Sequence, residues 1–159
     1  MSNKIYPIGI QNFEKIRKGG YCYIDKTAWI YQMVKTGSYY FLSRPRRFGK
    51  SLLLSTLEAY FQGKKKLFEG LAIEKLEKDW FKYPILHIDL NTEKYDTPER
   101  LENKLNRTLV EWEKIYGAES AETSLAMRFE GIIQRACEKE GQSVVILVDE
   151  YDKPMLQAI

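Results

Sequence analysis

The chain has 159 residues, of which 44% are hydrophobic and 30% charged, with a formal net charge of +3 at pH 7. That length and apolar content suit one α/β domain with a real core, and the charge is too mild to argue for nucleic acid by itself. No apolar run is long enough to span a membrane. Cys22 and Cys137, with no C-x-x-C and a single histidine, speak against paired metal sites.

In chain order, Pro7-Ile8-Gly9-Ile10 reads as extended. Asn12 caps a short helix through Arg17, which Gly19-Gly20 stops. Tyr21-Cys22-Tyr23-Ile24 is a short strand or an extended piece. Asp25 then caps a helix with Trp29, Ile30, Met33 and Val34 on one face, closed by Gly37. Residues 1–38 therefore read as a helical and extended lead-in that packs on the core following it.

The core begins with Tyr39-Tyr40-Phe41-Leu42-Ser43-Arg44-Pro45-Arg46-Arg47-Phe48-Gly49-Lys50-Ser51. The order is a buried strand, an arginine-rich loop, Gly-Lys-Ser, and an apolar-faced helix. The first N–H groups of a helix have no acceptor inside it, and with the positive end of the helix dipole they form a site for phosphate. Gly49 lets backbone approach the anion, Lys50 reaches the β- and γ-phosphates, and the Ser51 hydroxyl ligates Mg²⁺. The nucleotide-binding set predicted here is Arg46, Arg47, Phe48, Gly49, Lys50, Ser51 and Leu52. Arg46 and Arg47 either add cations near the phosphates or face solvent or another domain. One departure stands out: the strict pattern G-x-x-x-x-G-K-[ST] requires glycine where this chain has Arg44.

The helix after Ser51 carries Leu53, Leu54, Leu57, Tyr60 and Phe61 as its apolar stripe and ends at Gly63. Lys64-Lys65-Lys66 reads as a solvated turn, with a nucleic-acid contact as the other reading. Leu67 to Trp80 is short helix and loop, and Pro84 marks the exit. Ile85-Leu86-His87-Ile88-Asp89-Leu90 alternates as a second strand, with His87 and Asp89 a hydrogen-bonded polar face rather than a metal pair. Thr97-Pro98 opens a helix with Leu101, Leu105, Leu109 and Trp112 on one side. A further helix follows with Leu125, Phe129, Ile132, Ile133 and Ala136, and Gly141 ends it. Gly117 to Glu122 is expected to be the mobile loop.

Val144-Val145-Ile146-Leu147-Val148-Asp149-Glu150 is a continuous aliphatic run ending in two acids, the pattern of a strand buried on both faces of a parallel sheet. Ligands of open α/β sheets bind beyond the carboxyl ends of strands, where Asp149 and Glu150 fall. Asp149 is the expected Mg²⁺ ligand beside Ser51. Glu150 is the expected base, catalytic together with Lys50. Asp152 and Lys153 read either as a switch region or as a solvated turn before Pro154.

Three segments carry a family resemblance: Arg44-Pro45-Arg46-Arg47-Phe48-Gly49-Lys50-Ser51, Tyr23-Ile24-Asp25-Lys26-Thr27, and Val148-Asp149-Glu150-Tyr151-Asp152-Lys153-Pro154. Together they resemble the bacterial AAA-ATPase-like family, and the resemblance covers essentially the whole chain. It implies P-loop ATPases with ATP and Mg²⁺ as cofactors and a PD-(D/E)XK nuclease-like domain downstream as partner. It makes Tyr23 to Thr27 a family motif, either structural or touching ligand.

The expected fold is an α/β P-loop NTPase three-layer sandwich with a mostly parallel sheet, residues 39–159, incomplete after the Asp149 strand. A sheet interrupted there exposes strand edges that pair with other chains, so a homo-oligomer is among the expected partners. Three functional readings follow: an ATPase domain, a non-hydrolysing nucleotide switch or scaffold for the nuclease-like domain, and a nucleic-acid-binding module built on Arg44, Arg46, Arg47 and the lysine run. The expected location is cytoplasmic.

Overall fold

The computed structural model describes residues 5–43 and 49–157. The chain divides into two compact units, Met1–Lys82 and Tyr83–Ile159, each with its own internal packing.

The first unit holds helices α1 (Phe13–Lys18), α2 (Thr27–Thr36), α3 (Lys50–Phe61) and α4 (Ala72–Leu76), with a 3₁₀ turn at Lys65–Phe68. Asn12 caps α1 as its sequence position predicts, its side chain accepting from the Lys15 N–H at 3.0 Å. Helix α1 packs against α3, and α2 against α4. Phe13 and Phe68, both fully buried, meet at 4.8 Å between ring centroids, and Trp80 stacks on Phe68 at 5.1 Å. Short helices cannot hold themselves together, and the cross-links here are polar as well as apolar. The Arg17 guanidinium donates to the carbonyls of Leu67 (2.7 Å) and Glu69 (2.5 Å), and the Phe13 N–H donates to the Ser55 hydroxyl (3.0 Å).

The N-cap of α2 is Lys26, without a side-chain cap bond, and not Asp25 as its sequence position predicts; the Asp25 carboxylate instead binds the first helical residue. Its Oδ1 accepts from the Thr27 N–H (2.9 Å) and hydroxyl (2.6 Å), while its Oδ2 accepts from the Ala72 N–H at the start of α4 (2.7 Å). The fully buried Thr27 hydroxyl oxygen accepts in turn from the Ile73 N–H at 3.1 Å. The Asp25–Thr27 pair thus fastens two helix starts together.

The second unit is β1 (Ile85–Asp89), α5 (Pro98–Tyr116), α6 (Leu125–Glu140), β2 (Val145–Asp149) and α7 (Lys153–Gln157). The sheet of the described residues is two-stranded, and β1 and β2 run parallel with Leu86 opposite Ile146 and Ile88 opposite Val148. Helices α5 and α6 form the crossover between them. Leu86 packs with Leu109 and Ile132, and Ile88 with Leu90, Tyr95, Leu101 and Leu105. The predicted α5 stripe and α6 face are therefore the core. Arg128 joins the two helices through both carboxylate oxygens of Glu113, at 2.7 and 2.9 Å.

Four further sequence expectations change. Residues 38–43 form no strand: Tyr39 is 96% exposed and Phe41 74%, and the Tyr40 hydroxyl turns back to donate to the Met33 carbonyl at 2.5 Å. A strand exists through its ladder, and the ladder described is that of β1 and β2 alone. Trp29, expected on the buried face of α2, is 74% exposed, whereas Ile30 is buried. Strand β2 is not buried on both faces: Leu147 is covered, but Ile146 and Val148 are exposed because the two helices centre on β1. The Gly117 to Glu122 loop, expected to be mobile, is tied down by Arg135, which donates to the Tyr116 carbonyl (3.1 Å), the Gly117 carbonyl (2.8 Å) and the Glu122 carboxylate (2.6 Å).

Candidate functional site

The phosphate side of the predicted site is the start of α3. Gly49 is its N-cap, with φ of 78°, in the left-handed region that favours glycine. Among the described residues, a Cβ built there meets nothing within 4 Å. The α3 ladder begins with the Leu53 N–H on the Gly49 carbonyl (3.0 Å), and Lys50, Ser51 and Leu52 stand ahead of it in the first turn. Among the described residues no side chain caps this helix and no acid lies in its first turn. An uncapped helix start with an αL glycine fits a phosphate. Arg44, Arg46, Arg47 and Phe48 lie outside the described residues.

Beside this helix start lies a cavity of about 650 Å³, lined by Gly49, Leu52, Leu53 and Thr56 on one side and by residues of the lead-in, including Tyr23 and Trp29, on the other. The Thr56 hydroxyl donates to the Leu52 carbonyl at 2.7 Å. Burial pushes the Tyr23 phenol above its ordinary range, against a hydrogen bond with Thr56 that pulls the other way.

The acidic side is the carboxyl end of β2. Asp149 closes the strand, and its Oδ1 accepts from the Glu150 N–H at 2.9 Å. Glu150 has φ of 56°, and it alone among the described non-glycine residues has a positive φ. Left-handed backbone is costly for a side chain bearing a Cβ, and such strain gathers at functional positions. Asp89 stands opposite Asp149 in the register, and it too turns the chain behind it, its Oδ1 accepting from the Asn91 N–H at 2.7 Å. The segment beyond Glu150 is anchored: the Lys153 ammonium donates to the Asn91 carbonyl at 2.5 Å, and the Tyr95 N–H donates to Gln157 at 2.6 Å.

The structure thus gathers Gly49, Lys50, Ser51 and Leu52 at one helix start, and Asp149 with Glu150 at one strand end. The two groups belong to different compact units. Asp89, read from sequence as part of a hydrogen-bonded polar face, accepts such a bond and closes its five-residue strand as Asp149 closes the other. The Lys153–Asn91 contact was missed from sequence. The Lys153–Asn91 pair is 62 residues apart and had no local signal.

The family model described as Predicted AAA-ATPase matches residues 7–159. The chain belongs to the AAA-ATPase-like family. Among the relatives of this family member is a protein of Azotobacter chroococcum mcd 1 described as "Uncharacterized protein in vnfD 5'region", 44% identical over 158 residues. Those residues are 98% of this chain and 30% of that protein, so the AAA-ATPase-like chain spans under a third of the relative's length. No solved structure matches it. No helix among the described residues is long and apolar enough to cross a membrane.

Proposed function

We propose that this chain is the nucleotide-binding part of an ATPase. ATP with Mg²⁺ is held by the backbone from Gly49 to Leu52 and by the Lys50 ammonium, with Arg46, Arg47 and Phe48 completing the loop. Ser51 and Asp149 would hold Mg²⁺, and Glu150 would orient and deprotonate the attacking water. Mg²⁺ takes few protein ligands when phosphate oxygens and water complete its octahedron, so one hydroxyl and one carboxylate suffice. It would neutralise charge on the transferring phosphoryl group, and the rest of the work is positioning.

The observation that carries this reading is the start of α3: a left-handed glycine followed directly by Lys50 and Ser51, on a helix with no side-chain cap among the described residues. The first N–H groups of a helix are satisfied by a side chain, by water or by a ligand, and the helix dipole with the Lys50 ammonium favours an anion at this one. Calorimetric titration of Mg·ATP tests it. Lys50→Ala should weaken binding by roughly 10- to 100-fold, the scale of one charge-assisted hydrogen bond. Equal affinity in the two proteins would sink the assignment.

A downstream nuclease-like domain, regulated by nucleotide bound here, belongs to the same proposal. It rests on the resemblance carried by Arg44–Ser51 and Val148–Pro154, and on a relative of which this chain spans 30%. The reading places the protein where ATP is abundant, in the cytoplasm.

A further inference from the structure

We propose that the cavity beside α3 receives the nucleotide base, and that it selects purines by size and stacking rather than by reading the base's hydrogen-bonding edge. The inference rests on the nucleotide reading above and adds to it a specificity: ATP and GTP should bind nearly alike.

Three observations lead there. First, Gly49 both caps α3 and lines the cavity, so the phosphate end and the cavity share a residue. The volume of about 650 Å³ falls inside the roughly 300–1,000 Å³ range of small-molecule pockets. A nucleotide with its phosphates at Lys50 has its base to place, and this space adjoins it.

Second, the cavity offers aromatic and aliphatic surface that the fold itself does not use. Trp29 lines it while 74% exposed, and so does Ile24 at 77%. Neighbouring Ile30 on the same helix is buried, so α2 docks through Ile30 and leaves the indole free to cover a flat ring.

Third, the described lining carries no Asp, Glu, Asn or Gln side chain, the groups that tell a donor edge from an acceptor edge. The Thr56 hydroxyl is spent on the Leu52 carbonyl, and the Cys22 N–H on the Ile5 carbonyl. Lys26, the lining cation, can donate to the N7 that adenine and guanine both present. A site that strongly rejects a near-isostere needs buried polar partners left unpaired by the wrong ligand, and the described lining offers no carboxylate or carboxamide for that purpose.

The test is calorimetric titration of the full chain with Mg²⁺ complexes of ATP, GTP, CTP and inorganic triphosphate, in wild type, Trp29→Ala and Lys50→Ala. ATP and GTP should agree within about fivefold, with CTP roughly tenfold weaker. Trp29→Ala should weaken ATP and GTP alike by roughly tenfold, the scale of one aromatic stack, and leave triphosphate unchanged. Lys50→Ala should weaken all of them. If triphosphate and ATP bind through Lys50 but Trp29→Ala leaves ATP unaffected, or if ATP exceeds GTP by a hundredfold, the base-pocket inference falls and the nucleotide reading stands. If neither ATP nor triphosphate binds, both fall. Cys22 supplies a readout that needs no variant, since its thiol is free and lines the cavity while that of Cys137 lies elsewhere. ATP and GTP should slow maleimide modification of Cys22 and not of Cys137; equal rates with and without nucleotide would overturn the pocket.

Discussion

Asp89 and Asp149 face each other at the carboxyl ends of the two parallel strands, and each turns its strand's exit with the same device, a carboxylate oxygen accepting a following backbone N–H. Loops beyond such strand ends are where α/β sheets place ligands. Sharing a device does not mean sharing a role. Asp89→Ala should lower stability by about 1 kcal/mol, as for other lost caps, and leave Mg·ATP affinity unchanged. Asp149→Ala should cost a similar amount and also abolish the Mg²⁺ dependence of nucleotide affinity. Urea unfolding and titrations with and without Mg²⁺ separate the two, and equal Mg²⁺ effects in both variants would make Asp89 a ligand as well.

Glu150 combines a strained backbone with the position expected of a base. Glu150→Gln should retain nucleotide binding and lower hydrolysis by roughly a hundredfold, the scale of general-base loss. Glu150→Gly should remove the left-handed penalty, raise stability by about 1 kcal/mol, and lose hydrolysis equally. Thermal melts with steady-state turnover check this; a Glu150→Gly protein that is less stable would mean the turn depends on the side chain.

Glu77 is buried and fully engaged. It accepts from the Tyr60 hydroxyl, from the N–H groups of Lys78 and Asp79 (3.0 Å each), and pairs with Lys35 at 3.0 Å. Glu77→Ala strands the phenol and the N–H groups, so a loss of about 3 kcal/mol is expected from unsatisfied buried donors. Chemical denaturation measures it.

The same carboxylate predicts a pH dependence. Burial pushes Glu77 up, but the hydrogen bonds from Tyr60 and Asp79 and the Lys35 charge outweigh it, and its pKa lies below the ordinary 4.5. Glu14, held by Lys18 and then by Lys64, is lowered further, to about 2. A lowered pKa means the charged form is favoured by folding, so this stability is complete above pH 4.5 and is lost as pH falls toward 2. Stability of the wild type should fall across that window, and Glu14→Gln should flatten part of the fall.

Arg135 holds the α5–α6 loop through three acceptors on two sides. Arg135→Ala should raise amide exchange selectively from Gly117 to Glu122 and cost roughly 2 kcal/mol, as for one charge-assisted group. Arg135→Lys should recover little, because a point charge cannot span the carbonyls and the carboxylate together.

What the amino-acid order determined by itself was local. Asn12, Pro98 and Gly141 mark helix ends as their local chemistry dictates, and the stripes Leu101–Trp112 and Leu125–Ala136 pack inward, with Leu109, Ile132 and Ala136 buried, at the spacing that period 3.6 requires. The runs Ile85–Leu90 and Val144–Glu150 became two paired strands, Ile85–Asp89 and Val145–Asp149, and Gly49-Lys50-Ser51 became a helix start because only glycine takes its φ of 78° cheaply. Tertiary structure decided what depends on partners distant in sequence. Whether Tyr39–Leu42 form a strand depends on a ladder that no single segment encodes. Whether Trp29 or Ile30 faces inward depends on which surface α4 offers to α2, since both satisfy the same helical pattern. The role of Asp25 and Thr27 emerged only when Ala72 and Ile73, some 46 to 47 residues later, came to donate to them. A sequence shows which groups a residue could bind; which one it does bind is decided by the fold that brings them within 3 Å.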